Sequence, residues 1–127
     1  MNKGKKILFL FVTVCSLLVT PLADAQSTLA LQERCAESAT KLVSENPSKL
    51  VSEFHYNGKL NQCFVVIKYK DIRKKIMLNL TNVFENKQVG LYISEDFEKK
   101  PVICIVGNNE CNSLSEFETL IKPYMEE

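Results

Sequence analysis

Several residue patterns that carry chemistry are missing from this 127-residue chain. It has a single histidine, which is too few for a His-rich metal site. Its glycines form no phosphate-binding loop, and no two cysteines have the Cys-x-x-Cys spacing of thioredoxin-like redox sites. We therefore predict that the protein is not an enzyme and that it has no cofactor and no metal site.

Clustered charge of one sign is also missing. The 16 basic and 15 acidic residues nearly cancel, and no basic block occurs. Without the first 25 residues, 13 basic and 14 acidic residues would remain, a net charge of −1. Such a domain has little electrostatic attraction for nucleic acid or an anionic membrane. We predict no nucleic-acid partner.

The N-terminus has the pattern of a secretory signal peptide. Three lysines occur within the first six residues, and an apolar run follows at residues 7–19. Ala23 and Ala25 are small residues at the two positions that a signal peptidase reads. We predict a signal peptide at residues 1–25 with cleavage before Gln26, and a periplasmic or secreted protein. The alternative is an uncleaved membrane anchor, but about 13 apolar residues are short for a span. No second long apolar run occurs, so we expect no stable membrane insertion after cleavage.

Residues 26–127 are predicted to form one small domain stapled by disulfides, because they contain no repeat or linker. Its four cysteines are Cys35, Cys63, Cys104 and Cys111. An even number in an oxidising compartment favours disulfides, and the spacing lacks the close pairs of a zinc site. Three pairings are possible. We favour Cys35–Cys63 with Cys104–Cys111, which would contribute about 3.5 and 2.5 kcal/mol in the loop-entropy model.

Apolar periodicity predicts a helix at each end of the domain. The first, at residues 29–45, has apolar residues at helical spacing and stops before Pro47. The second begins at Ser113, which forms a capping box with Glu116, and is predicted to end at Pro123.

Alternating apolar residues between the helices predict strands. We expect a loop at residues 47–58 and a first strand that begins near Leu60. A second strand is predicted at residues 75–84, a third at 88–93 and a short fourth at 102–106. The connections are too short for parallel crossovers. The predicted fold class is therefore α+β: an N-terminal helix, a three- to four-stranded antiparallel meander, a C-terminal helix and two disulfides, with both helices on one face of the sheet.

Three segments resemble an uncharacterised group of small exported bacterial proteins. They are HYNGKLNQCFVVI at residues 55–67, CIVGNNEC at 104–111 and SEFETLIKPYMEE at 115–127. That group is similar in its HYN-x-KLN-x-C segment, its late C-x6-C loop and its KPYMEE-like C-terminus. The resemblance implies a bacterial origin, an envelope or extracellular location and an important Cys63. It brings no ligand, partner or reaction.

The candidate partner-binding residues lie in two segments. Gly107, Asn108 and Asn109 are in the loop 104–111, where a disulfide would leave little ordering cost on binding. His55 and Tyr56 are in the HYN segment, although such a segment more often fixes a turn. We predict a non-enzymatic protein that binds a protein or an envelope component. One alternative is a hydrolase inhibitor, of a lysozyme or a protease, that acts through loop 104–111. The other is a small enzyme that uses His55. The bridge at 104–111 could also merely staple the last strand to the last helix.

Overall fold

This computed structural model describes residues 20–70, 75–96 and 99–126. The described residues belong to two units, which divide between Ala30 and Leu31. The described residues of the first unit are helical, and the sheet and the disulfides belong to the second. The predicted signal peptide at residues 1–25 falls mostly outside the described residues, so the peptide and its cleavage site remain predictions.

Two helices and six strands make up the described part of the chain. They are α1 (Thr20–Ser44), β1 (Lys49–Asn57), β2 (Gln62–Lys70), β3 (Ile76–Asn82), β4 (Lys87–Ser94), β5 (Ile103–Val106), β6 (Asn109–Glu110) and α2 (Leu114–Met125). The strands form one antiparallel sheet in chain order, β1 to β6. The α+β class is confirmed, but the predicted number of three to four strands is wrong.

Strand β1 replaces most of the loop that we predicted at residues 47–58. The pairing with β2 shifts between Val51 and Glu53, so Ser52 is an additional residue on the β1 side. As a result Val51 and Phe54, three positions apart, lie opposite Ile67 and Val65 on the same face. A bulge of this kind breaks the alternation by which a strand is recognised in a sequence.

The two helices pack on opposite faces of the sheet, which corrects the predicted single face. Cys63, Val65 and Ile67 of β2 form a core with Cys35 and Ala39 of α1. The intervening β2 residues, Phe64 and Val66, form a second core with Phe117, Ile121 and Met125 of α2. We call the two sides the α1 face and the α2 face. Because β2 is apolar on both sides, it needs cover on both.

The helix ends follow the capping signals only in part. The Ser113 side chain accepts a hydrogen bond from the N–H of Glu116 (3.2 Å), as predicted, and Glu116 Oε2 accepts one from the N–H of Asn112 (2.7 Å). The predicted stop at Pro123 is wrong, since α2 continues to Met125. The predicted start of the first helix at residue 29 is also wrong, because α1 is helical from Thr20.

Both predicted disulfides are present. Cys35 of α1 is joined to Cys63 of β2 across 28 residues, and Cys104 is joined to Cys111 across 7. This is the pairing that we favoured among the three. The first bridge attaches α1 to the sheet, and the second closes the hairpin formed by β5 and β6.

Candidate functional site

The predicted loop 104–111 is a tight β-hairpin. Val106 of β5 lies opposite Asn109 of β6, so Gly107 and Asn108 are its two turn residues. Gly107 has a φ of +59°, whereas Asn108 does not have a positive φ. This is the type II′ pattern, which requires glycine at the first turn position and suits the twist of paired strands. The tip is therefore rigid and exposed.

The disulfide of this hairpin has a structural role as well. Cys104 and Cys111 are buried in the core that α2 forms with the sheet. The Cys111 N–H donates to the Cys104 carbonyl (2.9 Å), and Cys104 Sγ lies 3.7 Å from the carbonyl oxygen of Ser113, the N-cap of α2. The bridge thus staples the last strands to the last helix and, at the same time, holds the tip in place.

An apolar area lies beside the hairpin on the α1 face. Ile93 is opposite Ile103 and Leu91 is opposite Ile105, while Met77 of β3 is opposite Ile93. Ile103 and Ile105 are 40% and 37% exposed, and the other three are half-buried. We call these five residues the open patch.

The part of α1 from Leu31 onward does not cover the open patch. Its core contains residues of α1, β1 and β2 and the turn residues Val83 and Phe84, but none of the described residues of β4 or β5. Polar contacts border the patch: Lys75 and Glu95 form an ion pair (3.7 Å) on one side, and Asn79 Nδ2 donates to Gln88 Oε1 (3.3 Å) on the other. Apolar patches with polar rims are typical of interaction surfaces.

Tyr56 and His55 do not join the hairpin or the open patch. Tyr56 is buried beneath α1, where its N–H donates to Gln32 Oε1 (3.0 Å) and its hydroxyl donates to Asn61 Oδ1 (2.6 Å). Asn61 has a positive φ of 52° in the β1–β2 turn. His55 lies on the α2 face, opposite Phe64, and its Nε2 is buried without a hydrogen-bond partner in the described part of the chain.

Asn57, the asparagine of the HYN segment, connects β1 to the end of α2. Its side chain is 1% exposed, and its Nδ2 lies within hydrogen-bonding distance of three carbonyl oxygens at the end of α2: Pro123 (3.0 Å), Tyr124 (3.3 Å) and Glu126 (3.2 Å). Its Oδ1 accepts the N–H of Leu60 (3.0 Å). Asn57 therefore supplies the donor that the terminal carbonyls of a helix otherwise lack.

The open patch was not predicted, although the sequence contains a signal for it. Residues 102–106 are apolar at every position, so the strand has apolar side chains on both faces. A strand that is apolar on both faces needs cover on both, and among the described residues only the α2 face of β5 belongs to a core.

Comparison with known proteins assigns no relative to this chain. No family model, no curated protein and no solved structure matches it. Within the described residues, neither helix is apolar over a length sufficient to cross a bilayer. The same residues contain no cluster of three or more histidine, cysteine or acidic side chains placed to hold a metal ion.

Proposed function

We propose that the protein is an exported, non-enzymatic binding protein whose open patch contacts an apolar surface on a partner protein. The observation that carries the proposal is the adjacent exposure of Ile103 and Ile105, on a sheet whose other side α2 covers. Complete burial of such a side chain contributes about 1.5–3 kcal/mol. The binding free energy gained when a partner covers both isoleucines is large enough for the patch to be the centre of an interface.

The two disulfides support a location outside the cytosol. Structural disulfides persist in secreted and periplasmic proteins and are rare where thiols are kept reduced. A partner in the periplasm, in the cell envelope or outside the cell fits this chemistry. The resemblance to exported bacterial proteins is a separate argument for the same compartment.

Replacement of Ile103 and Ile105 by lysine should abolish partner binding and leave the fold intact. Both side chains are partly exposed, and a lysine at the second position would lie opposite Glu110, so the cost in stability should stay within about 1–2 kcal/mol. The wild-type chain and the double variant are used as bait against envelope and extracellular extracts. The affinity of the recovered partner is then measured by biolayer interferometry.

Glu118→Lys is the matched control for this experiment, because it makes the same change of two charge units at an exposed position on α2. We expect it to bind like the wild type. A partner that binds the double lysine variant as strongly as the wild type would remove the open patch from the proposal.

A second candidate function, inhibition of a hydrolase, is favoured by the rigid hairpin tip. Asn108 and Asn109 are exposed, and their side chains make no hydrogen bond within the described residues. A tip held by a type II′ turn and a disulfide loses little entropy when it enters an active-site cleft.

If the hairpin is inhibitory, the double variant Asn108→Ala and Asn109→Ala should weaken inhibition at least about 10-fold. A 10-fold change corresponds to about 1.4 kcal/mol of binding free energy lost with these contacts. The melting temperature should not change, because neither side chain supports the fold. The assay is residual activity of a panel of lysozymes and proteases with added protein. No inhibition by the wild type across the panel would eliminate this function.

The third candidate, an enzyme that uses His55, gains no support from the surroundings of that residue. A catalytic histidine needs a nucleophile or a substrate proton within hydrogen-bonding reach. His55 Nε2 is instead enclosed on the α2 face of β1. A binding function therefore accounts for the described residues better than catalysis does.

A further inference from the structure

A groove of about 500 Å³ lies at one end of the α2 face. It is enclosed by the start of β2, the β3–β4 turn, the tip of the hairpin and the last turn of α2. Its lining combines amide, charged and apolar side chains, among them Gln62, Phe64, Asn82, Glu85, Lys87 and Tyr124. It is separate from the open patch, which lies on the other face of the sheet.

The floor of the groove has hydrogen-bonding groups without partners. Asn82 is only 4% exposed; its Oδ1 accepts the N–H of Glu85 (3.3 Å), and its Nδ2 makes no hydrogen bond within the described residues. Gln62 Nε2 donates to Glu85 Oε1 (3.1 Å), but the buried Gln62 Oε1 has no partner there. Buried polar groups normally have a partner. Gln62 Oε1 therefore indicates a ligand that supplies a donor, and Asn82 Nδ2, which keeps some contact with solvent in the groove lining, can donate to the same ligand.

The register of the strands brings these groups together. Asn82 of β3 is directly opposite Phe64 of β2, and Gln62 is two residues before Phe64 on the same face. Gln62 is thus a diagonal neighbour of Asn82, and diagonal neighbours lie about 7–8 Å apart. The unpartnered donor and the unpartnered acceptor are therefore within reach of one small ligand.

Tyr124 of α2 supplies an aromatic ring to the groove, and Gly107 has no side chain beside the Tyr124 hydroxyl. The ring of Tyr124 packs edge-on against Phe64, with 5.1 Å between the ring centroids. The Tyr124 hydroxyl makes no hydrogen bond within the described residues. A Cβ atom on Gly107 would lie 3.6 Å from that hydroxyl, so a larger residue at the hairpin tip would narrow the groove.

We propose that this groove binds a neutral saccharide. A sugar hydroxyl both donates and accepts, so one hydroxyl or two adjacent ones can satisfy Asn82 Nδ2 and Gln62 Oε1 together. The apolar C–H face of the sugar ring fits the aromatic ring of Tyr124. The charges of Glu85 and Lys87 offset each other. An anionic ligand would be repelled by the unpartnered Gln62 oxygen and by the Glu85 carboxylate. The groove therefore favours a neutral polyhydroxylated ligand over a phosphate or a carboxylate.

The test is an NMR titration of the full-length protein with chitotriose, cellotriose and maltotriose, up to about 10 mM, where even weak specific binding is detected. We expect at least one of them to shift the backbone amides of Gln62, Gly107 and Asn108. Asn82→Asp replaces the free donor with an acceptor but keeps the oxygen that holds the Glu85 N–H. It should weaken binding at least about 10-fold. Tyr124→Phe removes only the hydroxyl and is the second variant in case Asn82→Asp does not fold.

Asn109→Asp makes the same chemical change on an exposed asparagine outside the groove, and it should change the affinity less than about twofold. The proposal is overturned if no saccharide shifts these amides, if Asn82→Asp folds and binds like the wild type, or if Asn82→Asp does not fold and Tyr124→Phe binds like the wild type. It is also overturned if a neutral tripeptide such as Ala-Gln-Gly shifts the same amides and the three saccharides do not.

Discussion

Replacement of both Cys35 and Cys63 by alanine should lower the free energy of unfolding by about 3.5 kcal/mol, because the unfolded chain regains the entropy of a 28-residue loop. In a domain of this size, that corresponds to a fall of roughly 15 °C or more in the melting temperature. Alanine is preferred to serine because both cysteines are fully buried between α1 and β2, where a serine hydroxyl would have to be buried as well. Thermal unfolding followed by circular dichroism measures the change.

The matched comparison is the Cys104→Ala and Cys111→Ala double variant. Its loop spans only 7 residues, so the same model gives a smaller loss of about 2.5 kcal/mol. Hydrogen exchange separates the two variants by location: the first should expose the amides of α1 after Leu31, and the second those of β5, β6 and the start of α2. A larger loss for the hairpin variant than for the α1 variant would contradict the loop-entropy explanation.

Asn57→Asp should be the most damaging single substitution at a polar residue, with a loss of about 3–5 kcal/mol at neutral pH. It keeps the oxygen that accepts the Leu60 N–H, but it replaces the donor to three helix carbonyls with a second, negatively charged oxygen. A buried carboxylate facing carbonyl oxygens has no compensating partner. The loss should become smaller as the pH falls, because a protonated carboxyl regains one donor. Urea unfolding at pH 7 and at pH 4 measures both effects.

The control for Asn57→Asp is Asn109→Asp, which adds the same charge at an exposed position and should change stability by less than about 0.5 kcal/mol. Hydrogen exchange adds a local test, since Asn57→Asp should first release the amide of Glu126, which is bonded to the Lys122 carbonyl (2.8 Å). Equal stability of the two variants would mean that the contacts of Asn57 with α2 contribute little.

The elements that the sequence predicts well are those with an unbroken pattern. Strand β2 contains a continuous apolar run from Cys63 to Ile67, and α2 begins with a serine and a glutamate at capping-box spacing. The spacing of 7 residues between Cys104 and Cys111 favours a local bridge, and the structure has it. In each case one short segment contains all the information needed.

The errors arose where the outcome depends on distant residues. The bulge at Ser52 hides β1, and Asn57, whose contacts are more than 60 residues away, caps α2 beyond Pro123. The side of the sheet on which each helix packs was also misjudged, although Phe64 and Val66 are as apolar as Val65 and Ile67.

The candidate site was predicted only where it is local. Gly107, Asn108 and Asn109 are at an exposed tip, as their turn-forming character indicates. The open patch and the saccharide groove assemble residues from several strands, and Gln62 and Asn82 have no sequence signal that separates them from ordinary turn-flanking amides. Only the register of β2 with β3 makes them diagonal neighbours on one face of the sheet.

The chain-order sheet has a consequence for how the polypeptide acquires its structure. Each strand is hydrogen-bonded to the strand just before it in the chain, so most pairings close short loops, and topologies of this kind fold quickly. A chain that emerges N-terminus first from a narrow channel can add strands one at a time, without waiting for its end. The packing of α2 on the sheet and the contacts of Asn57 with residues 123–126 wait for the C-terminal segment, so this face of the sheet closes last.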